Sequence, residues 1–174
     1  MDDSLIQKPN SFAAYTVVVL RHENQYLLLR RAETKRFAPG LWTGIGGLVE
    51  SHELNDLKSS ALRELFEETG IAVTETSHLI LRRVLLHART GTQLTLLLYF
   101  TGLLHSAILP NCTEGTLAWI TLKQLPELQF IENAQQVIPM LIADQERDPN
   151  GVEPLHLGIA RYNINDELKK IVWV

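Results

Sequence analysis

Cysteine is nearly missing from these 174 residues: Cys112 stands alone, which excludes an internal disulfide and a cysteine-based zinc site and fits a reducing compartment. Long apolar runs are missing as well. None approaches the roughly 18 uninterrupted apolar residues a membrane span needs, and the start, Met1-Asp2-Asp3-Ser4, is acidic where a secretory signal is basic. A cytoplasmic protein without a membrane partner is expected. Cations are few, since 16 Lys and Arg face 20 Asp and Glu for a formal charge of −4. That argues against a general surface for gripping a nucleic-acid polymer. Low-complexity tracts and internal repeats are absent from the sequence, which argues against solenoids and propellers.

What remains is a chain with 45% apolar and 21% charged residues, the balance of a folded globular protein. Its length suits one domain over residues 1–174, with 1–11 as a polar, loose arm. Residues 15–20 form a β-branched run, 22–25 break it, and 26–30 resume it, which predicts a hairpin turning near Asn24. Residues 37–47 carry Pro39 and four glycines, so they read as a loop that lets backbone approach something closely. From about Asp56 to Thr69 the chain holds good helix formers, with Asn55 or Asp56 as N-cap and Gly70 past the end. Residues 79–87 and 93–100 predict a second hairpin about 89–92, and 117–121 a short strand. Residues 122–125 suggest a helical turn stopped by Pro126, and 131–144 a second helix that Pro139 is expected to bend or divide. Two closing strands are expected over 155–162 and 168–174. Strands interleaved with helices point to an α/β fold, a mixed sheet covered by helices.

The chemistry lies in Arg63-Glu64-Leu65-Phe66-Glu67-Glu68-Thr69-Gly70-Ile71. Glu64, Glu67 and Glu68 stand at i, i+3 and i+4 and so share one sector of the helix. Leu57, Ala61, Leu62, Leu65 and Phe66 fan across the neighbouring half-turn, so the acids border the buried face and should line a cleft edge. Each like-charge pair costs roughly 0.2–0.5 kcal/mol on an exposed helix, and a divalent cation reverses that repulsion. Mg²⁺, a hard ion that takes oxygen ligands and arrives with phosphates, suits these donors, with Mn²⁺ as a substitute. A solvated, Glu-rich helix face accounts for the stripe taken alone. The second feature is upstream: Gly46-Gly47-Leu48-Val49-Glu50-Ser51-His52-Glu53, a glycine turn followed by another acid.

Together these segments resemble the signature of the Nudix hydrolase (MutT-like) family, G-x5-E-x7-R-E-U-x-E-E-x-G-U with U aliphatic. Gly47 and Glu53 satisfy the first half, and Arg63, Glu64, Leu65, Glu67, Glu68, Gly70 and Ile71 the second. Residues 54–62 make nine intervening positions where the family has seven. Two residues are therefore inserted between the turn and the helix, in the loop around 51–55. The resemblance extends to the lead-in over 41–47 and to Trp119-Ile120 followed by Leu125-Pro126. It implies a Nudix-like α/β/α sandwich and metal-assisted attack of water on a pyrophosphate phosphorus. By matching position, Glu64, Glu67, Glu68 and the Gly47 carbonyl would be metal ligands and Arg63 would orient the acids. Glu53 would tie loop to helix, with Glu50 or Asp56 as stand-ins. Glu67 and Glu68 are candidates for the base, a choice the sequence leaves open.

Arg30 and Arg31 close the second predicted strand, and alternation lets at most one face the cleft. Arg30 is taken as the phosphate contact. Trp42 is a candidate to stack on a base, against core packing as the alternative for both Trp42 and Trp119. His87 and His105 read as ordinary strand-end residues, and Cys112 lacks the paired histidine of a nucleophile. The lead-in Trp42-Thr43-Gly44-Ile45-Gly46-Gly47 looks like that of members hydrolysing nucleoside triphosphates, oxidised ones included, to monophosphate and pyrophosphate. Members acting on ADP-ribose commonly carry a proline about sixteen residues past the box, whereas the first proline after Ile71 here is Pro110. ADP-ribose or nucleotide-sugar hydrolysis, a nucleotide-sensing module and an isoprenoid-diphosphate isomerase remain alternatives. Oligomeric state is not legible.

Overall fold

The computed structural model describes residues 11–88 and 93–174. Residues 1–10 of the expected arm and the expected turn at 89–92 lie outside the described residues, while Ser11 belongs to the first strand. Among the described residues, eight strands and two α-helices follow one another: β1 (Ser11–His22), β2 (Gln25–Arg31), β3 (Trp42–Thr43), α1 (Leu57–Thr69), β4 (Thr76–His87), β5 (Gln93–Leu104), β6 (Gly115–Thr121), α2 (Glu132–Arg147), β7 (His156–Tyr162) and β8 (Leu168–Trp173). They build one mixed sheet in the order β3-β2-β1-β5-β4-β7-β8, with β6 pairing β2. The pairs β1/β5 and β4/β7 are parallel and the others antiparallel.

Strand alternation sorts the apolar side chains into two cores. Ala14, Val18 and Leu20 of β1 join Leu27 and Leu29 of β2 beneath Ala61 and Leu65 of α1. Val19 of β1 with Tyr26 and Leu28 of β2 face the other way, against Val137, Ile138, Leu141 and Ile142 of α2. The architecture is the expected α/β/α sandwich. β1 pairs β2 only over Leu20–His22 and Gln25–Leu27. Beyond that point, residues 45–49 run beside β1 instead, through hydrogen bonds Val18 N to Ile45 O (2.7 Å), Thr16 N to Gly47 O (2.9 Å) and Val49 N to Ala14 O (2.8 Å). This displaced segment opens the sheet where the site lies.

α1 begins where Asp56 accepts the Ser59 amide at 3.1 Å and ends at Gly70, whose φ of 75° lets its N–H reach Phe66 O at 2.7 Å. α2 runs undivided through Pro139, so of the bend or division expected there the division does not occur. The proline forfeits one backbone bond, but Val137, Ile138, Leu141 and Ile142 around it are at most 1% exposed, and that packing holds the helix. Pro126 does not end the turn before it; it sits within a 3-10 turn at Leu125–Glu127, because its fixed φ and missing donor suit the first turn.

The closing hairpin β7–β8 adds to the sheet through β4. Arg82 and Arg83 are adjacent, yet both are buried and both reach the C-terminal end of α2. Arg83 grips Asp144 through two bonds of 2.6 and 2.9 Å, and Arg82 meets Asp148 at 3.0 Å. A register shift between Leu81 and Arg83 makes Arg82 the extra residue of a bulge, turning both guanidinium groups to one side. The Arg83 guanidinium also lies 4.5 Å from the centre of the Trp173 ring in β8.

Candidate active site

The inserted residues are absorbed before α1. A 3-10 turn at Ser51–Glu53 follows the glycine turn, Leu54 and Asn55 complete the loop, and Asp56 caps the helix. Glu53 is thereby carried onto α1. It is 8% exposed and receives the Arg63 fork in two bonds, Nε to Oε1 at 2.6 Å and Nη2 to Oε2 at 2.8 Å. The Glu50 amide donates to it at 3.0 Å. The Arg63 hydrogen bonds, together with that amide, outweigh burial and hold the Glu53 carboxyl down at about 2.

Arg63 does more than hold Glu53. Its Nη1 donates to Glu64 at 2.8 Å and to Glu67 at 2.9 Å, and its Nη2 to the Leu48 carbonyl at 3.0 Å. One guanidinium thus collects three carboxylates and the loop backbone. Glu64 is well covered, 13% exposed at its side chain, whereas Glu67 is 56% exposed.

The backbone requires glycine at Gly46, and at Gly47 a side chain would have to displace Glu64. Gly46 has φ +147°, and a Cβ there would collide with the Thr16 carbonyl; a Cβ at Gly47 would collide with the Glu64 carboxylate. The Gly46 amide donates to Glu68 Oε2 at 3.2 Å. Burial, then the nearby charges of Glu114 and Glu64, raise the Glu68 carboxyl to about 7 against the pull of that amide. Glu114 arrives from the segment before β6, which docks on α1 through Thr113 N to Glu68 O at 3.1 Å. Lys35 pairs with Glu114 at 2.5 Å.

A cleft of about 670 Å³ opens beside Gly46, Gly47 and Glu68, within the ~300–1,000 Å³ range of small-molecule sites. Arg31, Phe37, Thr43, Glu114, Tyr15, His87 and Gln93 also line it.

A family model described as NUDIX domain matches residues 11–141. The chain belongs to the Nudix family. Among solved structures, it resembles the mutator MutT protein of Bacillus halodurans, at 21% identity and TM-score 0.63, over 92% of this chain and 97% of that one. The MutT protein of Methanosarcina mazei gives 22% and 0.61 over 83% and 98%. The Escherichia coli ORF135 protein gives 19% and 0.61 over 80% and 94%. A zebrafish (Danio rerio) protein named m7GpppN-mRNA hydrolase NUDT17 is 49% identical over 55 residues, 31% of this chain and 18% of that protein.

The residues expected at the site divide in two. Gly47, Glu53, Arg63, Glu64, Glu67 and Glu68 come together between the glycine turn and α1. Arg30 and Trp42 do not. Arg30 pairs Trp42 across β2 and β3, on the α2 side of the sheet, where Trp42 packs against the second core. Arg30 is engaged by Glu33 at 3.0 Å and the Gly40 carbonyl at 3.1 Å, and the two residues border a different, open depression. Alternation separates the neighbours: Arg31 and Thr43 carry the parity of Leu29, and all three line the cleft, while Arg30 and Trp42 point the other way. Parity with Leu27 and Leu29 was the signal that identifies Arg31. Glu114 and His87 had no comparable local signal.

Nudix hydrolases generally need a divalent metal. The donors here are carboxylate and backbone oxygens, and glycine at 47 admits the Glu64 carboxylate against the backbone; both features fit a hard cation. Among the described residues, no three acidic, histidine or cysteine side chains converge at ligating distance, since Arg63 draws Glu64 and Glu67 to itself while Glu68 turns to Gly46.

Proposed function

We propose that this Nudix hydrolase cleaves a nucleoside triphosphate, native or oxidised, to the monophosphate and pyrophosphate with Mg²⁺, Mn²⁺ serving as a substitute. The observation that supports this reading is a cleft lined together by Arg31, a cation suited to phosphate, by Phe37, 58% exposed, and by Glu68. Glu64, Glu67, Glu68 and the Gly47 carbonyl would hold the ion, which when bound neutralises diphosphate charge and activates water.

The chain's own groups then divide the work. Arg31 binds a phosphate by charge-assisted hydrogen bonds. The Gly46-Gly47 turn lets the phosphates approach backbone closely. Arg63 keeps Glu64 and Glu67 in place. Glu68, turned into the cleft, takes the proton of the attacking water at Oε1, the oxygen that the Gly46 amide does not bind. The water oxygen bonds to phosphorus as that atom's bond to the oxygen bridging the α- and β-phosphates breaks, and monophosphate and pyrophosphate separate.

A hydrolysis screen with and without Mg²⁺ tests the reading, across nucleoside triphosphates, oxidised deoxynucleotides, ADP-ribose, nucleotide sugars, isoprenoid diphosphates and a capped dinucleotide. The last is included because of the zebrafish relative's name. Triphosphates turned over fastest, with turnover collapsing in Glu67→Gln and Glu68→Gln, is the expected result. Preference for another class replaces the substrate, and silence with nucleotide still bound identifies a sensor.

A further inference from the structure

β7 and β8 carry apolar side chains on both faces. On the α2 side, Ala160, Ile171 and Trp173 join the second core. On the α1 side, register lines up Ala14, Leu96, Leu86, Ile159 and Val172 in one row across β1, β5, β4, β7 and β8. A second row runs through Leu98, Val84 and Leu157 to Val174, which exchanges two backbone hydrogen bonds with Leu157. Beneath α1 these rows are core, and Ala14 and Leu98 are each 3% exposed. Beyond β4 they emerge: Leu157 and Ile159 are each 39% exposed and Val174 is 73% exposed. A strand that meets water on one face alternates apolar with polar residues, whereas a strand covered on both faces reads as a continuous apolar run. Leu157-Gly158-Ile159-Ala160 and Ile171-Val172-Trp173-Val174 are of the second kind, yet α1 packs on β1 and β4.

Charge indicates what would complete this face. Arg161 and Lys170 stand directly opposite each other at one end of it, both exposed and, among the described residues, without an ion pair or hydrogen bond. Like charges in that register repel. Lysines on an outermost strand guard it against pairing with another strand, and Lys169 and Lys170 serve that purpose on β8. Arg161 lies on β7, which has a strand on either side, so edge protection does not account for it. An acid supplied from outside would relieve the pair. From β4 to β8 the face spans two strand spacings, about 10 Å, the width of one helix.

We propose that the α1-side face of β7 and β8 is the docking site for an amphipathic helix of a partner protein, its apolar stripe on Leu157, Ile159, Val172 and Val174 and an acidic residue at the Arg161 and Lys170 end. That helix would be the counterpart of α1 over the strands that lie beyond residues 11–141, the extent of the family match. None of these six residues lines the cleft, so the inference stands apart from the nucleotide reading.

The test titrates the full chain, by fluorescence anisotropy, with two synthetic helical peptides that share one leucine stripe, one with glutamates at the end of the stripe and the other with lysines there. The glutamate peptide should bind about tenfold more tightly than the lysine peptide. Ile159→Asp should abolish binding, with Val174→Asp, at the more exposed position, standing in if that variant does not fold. Arg161→Glu/Lys170→Glu should reverse the order of the two peptides, which mere damage to the fold does not do. Absence of binding, equal binding of both peptides, or binding that survives Ile159→Asp overturns the inference. So does a wild type that self-associates in sedimentation while Ile159→Asp is monomeric, which assigns the face to a second copy. Glutamate-peptide binding that appears only after residues 1–10 are removed assigns it to the chain's own Asp2, Asp3, Leu5 and Ile6 and overturns the partner. Adsorption to phosphatidylglycerol vesicles without binding of either peptide assigns it to a lipid surface, with the same consequence.

Discussion

Arg63 shows how one side chain can serve both stability and chemistry. It donates to Glu53, Glu64, Glu67 and the Leu48 carbonyl at once, so its loss leaves Glu53 charged, covered and without its partner. Arg63→Ala should cost about 1–3 kcal/mol of unfolding free energy, the usual range for leaving a covered polar group without its hydrogen bonds, read from urea denaturation. The neighbouring arginines separate by parity. Arg31→Ala is expected to raise the Michaelis constant for the substrate about tenfold through loss of a charge-assisted phosphate contact. Arg30→Ala, which loses only Glu33 and the Gly40 carbonyl, should leave it unchanged, and steady-state kinetics on both variants checks the assignment.

At the scale of elements, the loop before α1 is tied down by an ion pair, and the hairpin after α2 by strand pairing and by an arginine that an ion pair holds beneath Trp173. Glu53 joins loop to helix with its carboxyl held at about 2, below the ordinary 4.5. A carboxyl lowered by folding contributes stability that is complete above the unfolded value and fades as pH falls toward the folded one. Melting temperature should therefore fall between pH 4.5 and 2, and Glu53→Gln should show a smaller fall across that window. Asp144 behaves in the same sense: burial raises its carboxyl, but Arg83 and Arg147 together outweigh that and leave it lowered. Asp144→Asn strands the buried Arg83 beneath Trp173, and thermal unfolding should show destabilisation of several kcal/mol. Protease cleavage should appear first in the β7–β8 hairpin, whose docking on β4 depends on that arginine.

For the whole molecule, an ion that binds only the folded state must stabilise it by mass action, by about 2.7 kcal/mol at a hundredfold excess over its dissociation constant. Millimolar Mg²⁺ should raise the melting temperature of the wild type and not that of a Glu64→Gln/Glu68→Gln double variant, and a chelator should reverse the rise. An equal rise in both would place the ion elsewhere.

Much of this was legible in the chain. Asp56 and Gly70 mark the ends of α1 because capping is local chemistry, and Glu64, Glu67 and Glu68 fall in one sector because helical spacing is fixed. Asn24 lies in the first turn because two apolar runs flank it. The mixed sheet follows from strands alternating with helices. Other features depended on distant residues. Pro139 sits inside an unbroken helix because packing across α2 outweighs one lost hydrogen bond. Arg31 lines the cleft where Arg30 does not, and Trp42 turns to the core, because a face is assigned only when β2 meets its neighbours. Glu114 and His87 enter the cleft, and Tyr162 stands behind His87, through contacts between segments 46 and 75 residues apart in the chain. Backbone geometry and short-range spacing act within a few residues and are written in the sequence; which side chains share a cavity is decided by long-range pairing, which exists only once the sheet has formed.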